Sequence, residues 1–364
     1  MKSYINQRLS SHVIHLLVNC GSLRLSPRAA IKTLTAALLG VLLATQAQAF
    51  GAAGHSAIGE VAMGLLKGSR AETELKRVLG TTAMRDAAVW ADCVKSIDPA
   101  NDFKYANAGR YPECAVLESD PAELVRMGDY VRRNDMDCKP KPGEESCHKQ
   151  YHYTNPPLQS GRYVAGAPGT GPQDLVLGIN AAVAVLKGGP SPAPFRFGNE
   201  REALLVLLHL LGDLHQPLHV GSLYLDGEGK VVDPGTGAID PATHTVGGNA
   251  ITLMPTGNLH AYWDNAPARL SAAELQALNN EARALPSSPG PSADWTVAWA
   301  SDTVRVTAQV FDGISYSPRA QTLRGSRWIA TLPADYDARS LALTRMQLAK
   351  GGARLAQLLQ AIWP

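Results

Sequence analysis

Residues 199–221 read NEREALLVLLHLLGDLHQPLHVG. Asn199 is a helix cap, and from Glu200 to His215 the residues Leu204, Leu205, Val206, Leu207, Leu208, Leu210 and Leu211 cover almost the whole circumference, the pattern of a helix buried at the centre of a helical domain. Two of its few polar residues, His209 and Asp213, stand at i and i+4 and share a face about 40° apart. A buried Asp beside a His is costly without a compensating partner, and imidazole with carboxylate is a ligand set for one divalent ion. Pro217 would clash with the carbonyl of Asp213 if the helix continued, so the helix kinks or ends there and His219 is re-aimed towards a neighbouring ion. His215, about 200° around the helix from Asp213, faces elsewhere, into the core or behind the ligands.

The rest of the chain is also read as helix. His55–Leu66 places Ile58, Val61, Ala62, Leu65 and Leu66 on one face, and Asp120-Pro121 starts a helix through Glu123–Arg132. Pro172–Lys187, Ser271–Leu285, Ala293–Phe311 and Ala338–Ile362 complete the set. Val220–Val232 and Ala250–Leu253 are the only expected strands, the former as a hairpin about Asp226-Gly227-Glu228-Gly229. No repeat or composition break marks a second domain, so the expected fold is all-α, one mainly helical domain with long functional loops.

The 364 residues are enough for a large core, and 45% hydrophobic with 18% charged side chains excludes a disordered chain. Residues 1–49 hold five basic and no acidic side chains, then the apolar run Leu34–Leu43 and Ala47-Gln48-Ala49, the pattern of a cleaved secretory signal. An uncleaved anchor needs ~20 apolar residues, and Thr45 and Gln46 interrupt the run. Cleavage after Ala49 makes Phe50 the new N-terminus of a domain over residues 50–364, with no membrane attachment, exported to the periplasm or beyond. Of 34 basic side chains, five precede Phe50, leaving 29 against 32 acidic. Such a chain does not bind a polyanion through Lys and Arg alone; bound metal is the expected source of positive charge. Cys93, Cys114, Cys138 and Cys147 remain after the leader and read as two disulfides. Three pairings can be drawn, of which proximity favours Cys93–Cys114 with Cys138–Cys147; a four-cysteine zinc site lacks any close C-x2-C pair.

A second His-x3-acid pair, His260 and Asp264, lies in Asn258-Leu-His-Ala-Tyr-Trp-Asp264. Alone it is a weak signal; two such pairs in one chain, with His219 behind the first, point to metal. Asp92 in Trp90-Ala91-Asp92, His152 in Tyr151-His152-Tyr153, and His55 close behind Phe50 then gain meaning. Taken in order, Phe50-Gly51-Ala-Ala-Gly54-His55, Trp90-Ala91-Asp92, His152-Tyr153, "HLLGDLHQPLHVG", Gly247-Gly248-Asn249, "NLHAYWD" and the closing "GGARLAQLL" resemble the zinc-dependent S1/P1 nuclease family, related in fold to the trinuclear-zinc phospholipases C. The resemblance spans residues 50–362.

The resemblance implies three zinc ions: one held by Asp92, His152, His209 and Asp213, a second by His219, His260 and Asp264, and a third by the α-amino group and carbonyl of Phe50 with His55 and a bridging Asp213. It implies that Asp92 orients or deprotonates the attacking water and that Lys95 is the active-site lysine stabilising the phosphate. On spacing alone a solvated surface lysine is the lesser alternative for Lys95. Tyr153 is read as a platform for a base or as core packing. The implied activity is hydrolysis of single-stranded DNA and RNA to 5′-nucleotides, with 3′-nucleotidase activity and no obligate protein partner, in a monomer. Two positions depart from the family: Phe50 replaces the usual Trp, and Thr245 or Val246 replaces the acidic residue before Gly-Gly-Asn, after a Gly/Pro-rich insertion, Gly221–Thr245, that bears on substrate preference. A phospholipase C usually carries Glu where Asp264 stands, a zinc store needs closed, water-free sites, and a purely structural helical protein has no use for paired His-x3-Asp.

Overall fold

Thirteen α-helices follow one another among the residues described by the computed structural model, 50–140, 144–235, 237–255, 257–322 and 325–364: α1 Gly51–Leu66, α2 Arg70–Leu79, α3 Met84–Val94, α4 Ala115–Glu118, α5 Pro121–Asp135, α6 Cys147–Gln150, α7 Leu175–Leu186, α8 Glu200–Asp213, α9 Pro217–Val220, α10 Leu259–Asp264, α11 Ala272–Ala284, α12 Trp295–Phe311 and α13 Tyr336–Ile362. The leader expected over 1–49 lies outside the described residues. Among the described residues no helix is long and apolar enough to cross a membrane.

The quoted stretch is the axis of the fold. Asn199 caps α8 by accepting the Glu202 N–H at 2.9 Å, and every residue of α8 from Glu202 onward is buried. Helices α1, α3 and α7 pack on it, and α1 packs in turn on α13. Close approach is permitted there by Gly351 and Gly352. A Cβ at 351 would stand 2.8 Å from Ile58 Cδ1, and one at 352 would stand 2.2 Å from Val61 Cγ1. The chain break at proline occurs as expected: α8 stops at Asp213, and α9 restarts at Pro217, where a missing N–H costs nothing.

The long helices lie within a few residues of their expected bounds; the differences are informative. Arg70–Leu79 and Met84–Val94 were not expected as helices. The latter has no side-chain cap and is buried over all its faces, so neither a boundary signal nor an amphipathic period marks it. Val220–Val232 is not a strand. Val220 closes α9, and the Asp226 carboxylate accepts the N–H groups of Glu228 and Lys230, each at 2.9 Å. The result is an Asx turn closed by Asp226 N–H to Lys230 O at 2.9 Å and Val232 N–H to Tyr224 O at 2.8 Å about the bridge Leu225 to Val231, so the expected hairpin is present only at its tip. On its other edge the segment bonds elsewhere, with Ser222 bridging to Pro157 and the Leu225 N–H donating to Thr243 O.

Ala250–Leu253 does contain a strand, β3 Ile251–Leu253. Its partner was not expected: β6 Gly325–Thr331 runs parallel to it with Ile251 opposite Trp328. β4 Ser315–Tyr316 and β5 Ala320–Thr322 pair antiparallel with β6. This small sheet and α10 enclose a satellite core including Leu218, Leu259, Trp263 and Trp328. A separate two-stranded pair joins β1 Ile97–Asp98 to β2 Lys104–Tyr105. Both disulfides favoured by proximity are formed, with Cα separations of 5.7 Å for Cys93–Cys114 and 5.6 Å for Cys138–Cys147.

Candidate metal centre

Helix α8 delivers His209 and Asp213 to one face, α3 delivers Asp92, and the turn after α6 delivers His152. Asp213 Oδ2 lies 3.0 Å from His152 Nδ1 and 3.3 Å from His209 Nε2. Asp92 Oδ1 stands 3.5 Å from His209 Nε2 and 3.8 Å from His152 Nδ1. From α1, His55 stacks on His209 with ring centroids 3.9 Å apart and places Nε2 3.4 Å from Asp213 Oδ1. Beyond the break, His219 meets α10, with His219 Nε2 at 3.1 Å from His260 Nε2 and His260 Nε2 at 3.6 Å from Asp264 Oδ2. Three compact groups result, namely His55–His209–Asp213, Asp92–His152–His209 and His219–His260–Asp264, all buried.

Backbone carbonyls fix the tautomers. His209 Nδ1–H donates to Ala88 O at 2.8 Å, His219 Nδ1–H to His152 O at 2.7 Å and His260 Nδ1–H to Gly247 O at 2.8 Å, which aims each Nε2 lone pair inward. Gly247 O is presented by a left-handed turn in which Val246, Gly247 and Gly248 have φ of 55°, 54° and 86°. The facing Nε2 atoms of His219 and His260 are thus two acceptors in contact. Asp213 Oδ1 and Asp264 Oδ2 are buried and accept no hydrogen bond. Converging lone pairs and unsatisfied carboxylate oxygens fit divalent cations with nitrogen and oxygen ligands, zinc among them.

The charges follow from the same packing. Burial opposes ionisation of Asp92 and Asp213, yet the Lys95 ammonium and the His209 ring beside Asp92, and the His209 and His219 rings beside Asp213, hold both well below the usual carboxylate range. Burial, reinforced by the charges of Asp92 and Asp213, raises Asp264. Burial lowers His260 to about 3, helped by His219, and lowers His152 to about 3, helped by Lys95. Neutral imidazoles are the form that binds metal. Lys95 lies at the rim with 30% of its side chain exposed, its Nζ 2.7 Å from Asp92 Oδ1. Burial disfavours its ammonium, but Asp92 and Asp213 outweigh this and raise it above the ordinary lysine value.

Phe50 is fully buried directly before α1, with φ of 27°. Tyr153 is half-buried beside His152. His215 faces away, as expected. Its Nδ1–H donates to Leu211 O at 2.8 Å, and its Nε2 accepts from Arg354 Nη1 at 3.1 Å. Burial and the Arg354 charge lower it to about 3.

Several residues that shape the site were missed. Carbonyls freed by the break at Pro217 are caught from behind, Leu214 O by Thr303 Oγ1–H at 2.8 Å and His215 O by Gln347 Nε2–H at 3.0 Å, and Thr307 Oγ1–H adds a bond at 2.7 Å to Pro217 O at the start of α9. Gly212 is the other. A Cβ there would stand 2.3 Å from His55 Nδ1, so glycine makes room for the His55 ring from α1. Its only signal in the sequence is a helix-weakening residue amid leucines. In an unconstrained helix Gly→Ala stabilises by about 1 kcal/mol. Gly212→Ala is expected to do the reverse, lowering both Tm and zinc content by displacing His55. A stabilised variant with undiminished zinc, read by thermal unfolding and metal analysis, rules that contact out.

A match at 30% identity over 178 residues, covering 45% of this chain and 52% of the other, is found with Endonuclease 4 of Arabidopsis thaliana, so the chain spans about half the length of that relative. The family model described as S1/P1 Nuclease matches residues 50–364, which include every residue of the three groups. The chain belongs to the S1/P1 nuclease family.

Proposed function

We propose that this protein is a zinc-dependent phosphodiesterase that hydrolyses single-stranded DNA and RNA to 5′-nucleotides, with 3′-nucleotidase activity. The observation that carries the reading is the meeting of three buried His/Asp groups at Asp213 and its neighbours, in a chain of this family. Asp92, His152, His209 and Asp213 would hold one ion, His219, His260 and Asp264 a second, and the α-amino group and carbonyl of Phe50 with His55 and Asp213 a third. Bound zinc ions lower the pKa of water towards ~7 and neutralise charge developing on phosphate oxygens.

The chain's own groups supply the rest. Asp92, kept ionised by Lys95 and His209, orients or deprotonates the attacking water. Lys95, partly exposed at the rim and charged at neutral pH, meets the phosphate as negative charge builds on it. Tyr153 offers a ring for a base, an interaction of ~1–3 kcal/mol without sequence preference. Removal of residues 1–49 would free the Phe50 amine, and two disulfides suit an exported protein, periplasmic or secreted. Substrate is the only partner the reading requires, with the protein acting as a monomer.

The competing reading is a zinc-dependent phospholipase C. Release of acid-soluble nucleotides from single-stranded DNA and RNA, measured beside release of phosphorylcholine from phosphatidylcholine, separates the two. The expected result is nucleotide release, abolished by chelator and restored by zinc, with no phosphorylcholine. The opposite pattern sinks the nuclease reading.

A further inference from the structure

Gln216 lies between the two ligand segments and is completely buried. Its main chain is tied to a ligand on each side: its N–H donates to Asp213 O at 3.0 Å, and its carbonyl accepts the His219 N–H at 3.0 Å. Its side chain spans further. Oε1 accepts the Leu218 N–H at 2.6 Å, capping α9, and Nε2 donates to Asp264 Oδ1 at 2.8 Å. The amide has one orientation only, because a backbone N–H must meet oxygen and a carboxylate must meet N–H. One oxygen of Asp264 is thereby occupied, while Oδ2, the oxygen nearer His260 Nε2, accepts no hydrogen bond.

We propose that Gln216 is a positioning residue for the His219–His260–Asp264 group. It sets the start of α9, which aims His219, and turns the Asp264 carboxylate so that a single oxygen is offered to a cation. The break before Pro217 is what makes this reach available, since the side chain of a residue inside a continuous helix could not also cap a following turn. The inference rests on the assignment of those three residues as one ligand group.

The test is zinc titration of the chelated protein beginning at Phe50, with thermal unfolding of the chelated and loaded forms, for wild type, Gln216→Glu, Gln216→Met and His260→Ala. Gln216→Glu keeps the acceptor for Leu218 and loses the donor to Asp264. Gln216→Met, near-isosteric and uncharged, loses both. The expected result is that both variants bind the ion missing from His260→Ala 10–100-fold more weakly, the range for partners behind metal ligands, while the remaining ions bind as in wild type and the chelated forms unfold within a few degrees of chelated wild type. Unchanged affinity in either variant overturns the proposal. So does an equal loss of stability in chelated and loaded forms, which would assign Gln216 to the fold alone. A wild-type content below three overturns the three-ion reading instead, and the comparison with His260→Ala still decides the role of Gln216.

Discussion

Asp213→Asn is expected to bring hydrolysis to background and to remove more than one ion. No other carboxylate is so placed: Oδ2 contacts His152 and His209, and Oδ1 lies 3.4 Å from His55 Nε2 and 3.6 Å from His219 Nδ1. Asparagine keeps the shape but forfeits the charge, and its amino group would face imidazole nitrogens already aimed at a cation. Because an ion bound only by the folded chain stabilises it, each lost site withdraws about 2.7 kcal/mol at a metal concentration one hundred times Kd. The loaded variant should therefore melt well below loaded wild type, while the chelated proteins differ far less. Metal content, rate and the pair of melting temperatures check this, and wild-type zinc with a wild-type rate ends the shared-carboxylate reading.

Lys95→Ala should behave differently, keeping all its zinc while losing turnover by roughly 10²–10³, the usual effect of removing one preorganised donor or charge. The lysine sits at the end of α3 and pairs with Asp92 at 2.7 Å. A surface lysine could make that pair for helix-end electrostatics alone, worth a fraction of a kcal/mol, and then turnover would not change. Loss of zinc together with turnover would give a third answer, that Lys95 serves to hold Asp92. Metal analysis beside single-turnover rates separates the three.

The two His-x3-acid pairs were legible because ligands four residues apart on a helix are a local pattern, and Pro217 announced its break by simple sterics. His55, Asp92 and His152 were not legible in that way. Each comes from a different element and acquires meaning only when tertiary packing brings it to α8, so only the order of motifs along the chain pointed to them. The unseen α3 lacks a cap and an apolar stripe, and the unseen β6 is half-exposed over most of its length. Thr303, Thr307 and Gln347 look like polar surface of long helices; they are buried because the broken end of α8 presents carbonyls that need donors. Gly212 is required by a ring from the far end of the sequence, a relation no local window contains.

The contact between α1 and α13 through Gly351 and Gly352 also bears on when the protein becomes complete during its synthesis. The segment bearing His55 is made long before the surface on which α1 rests. A nascent chain that has not yet produced residues 351 and 352 has no seat for Ile58 and Val61, and His55 cannot be held over His209. The packing of the two helices therefore waits on residues 351 and 352, however early the segment that bears His55 has been made.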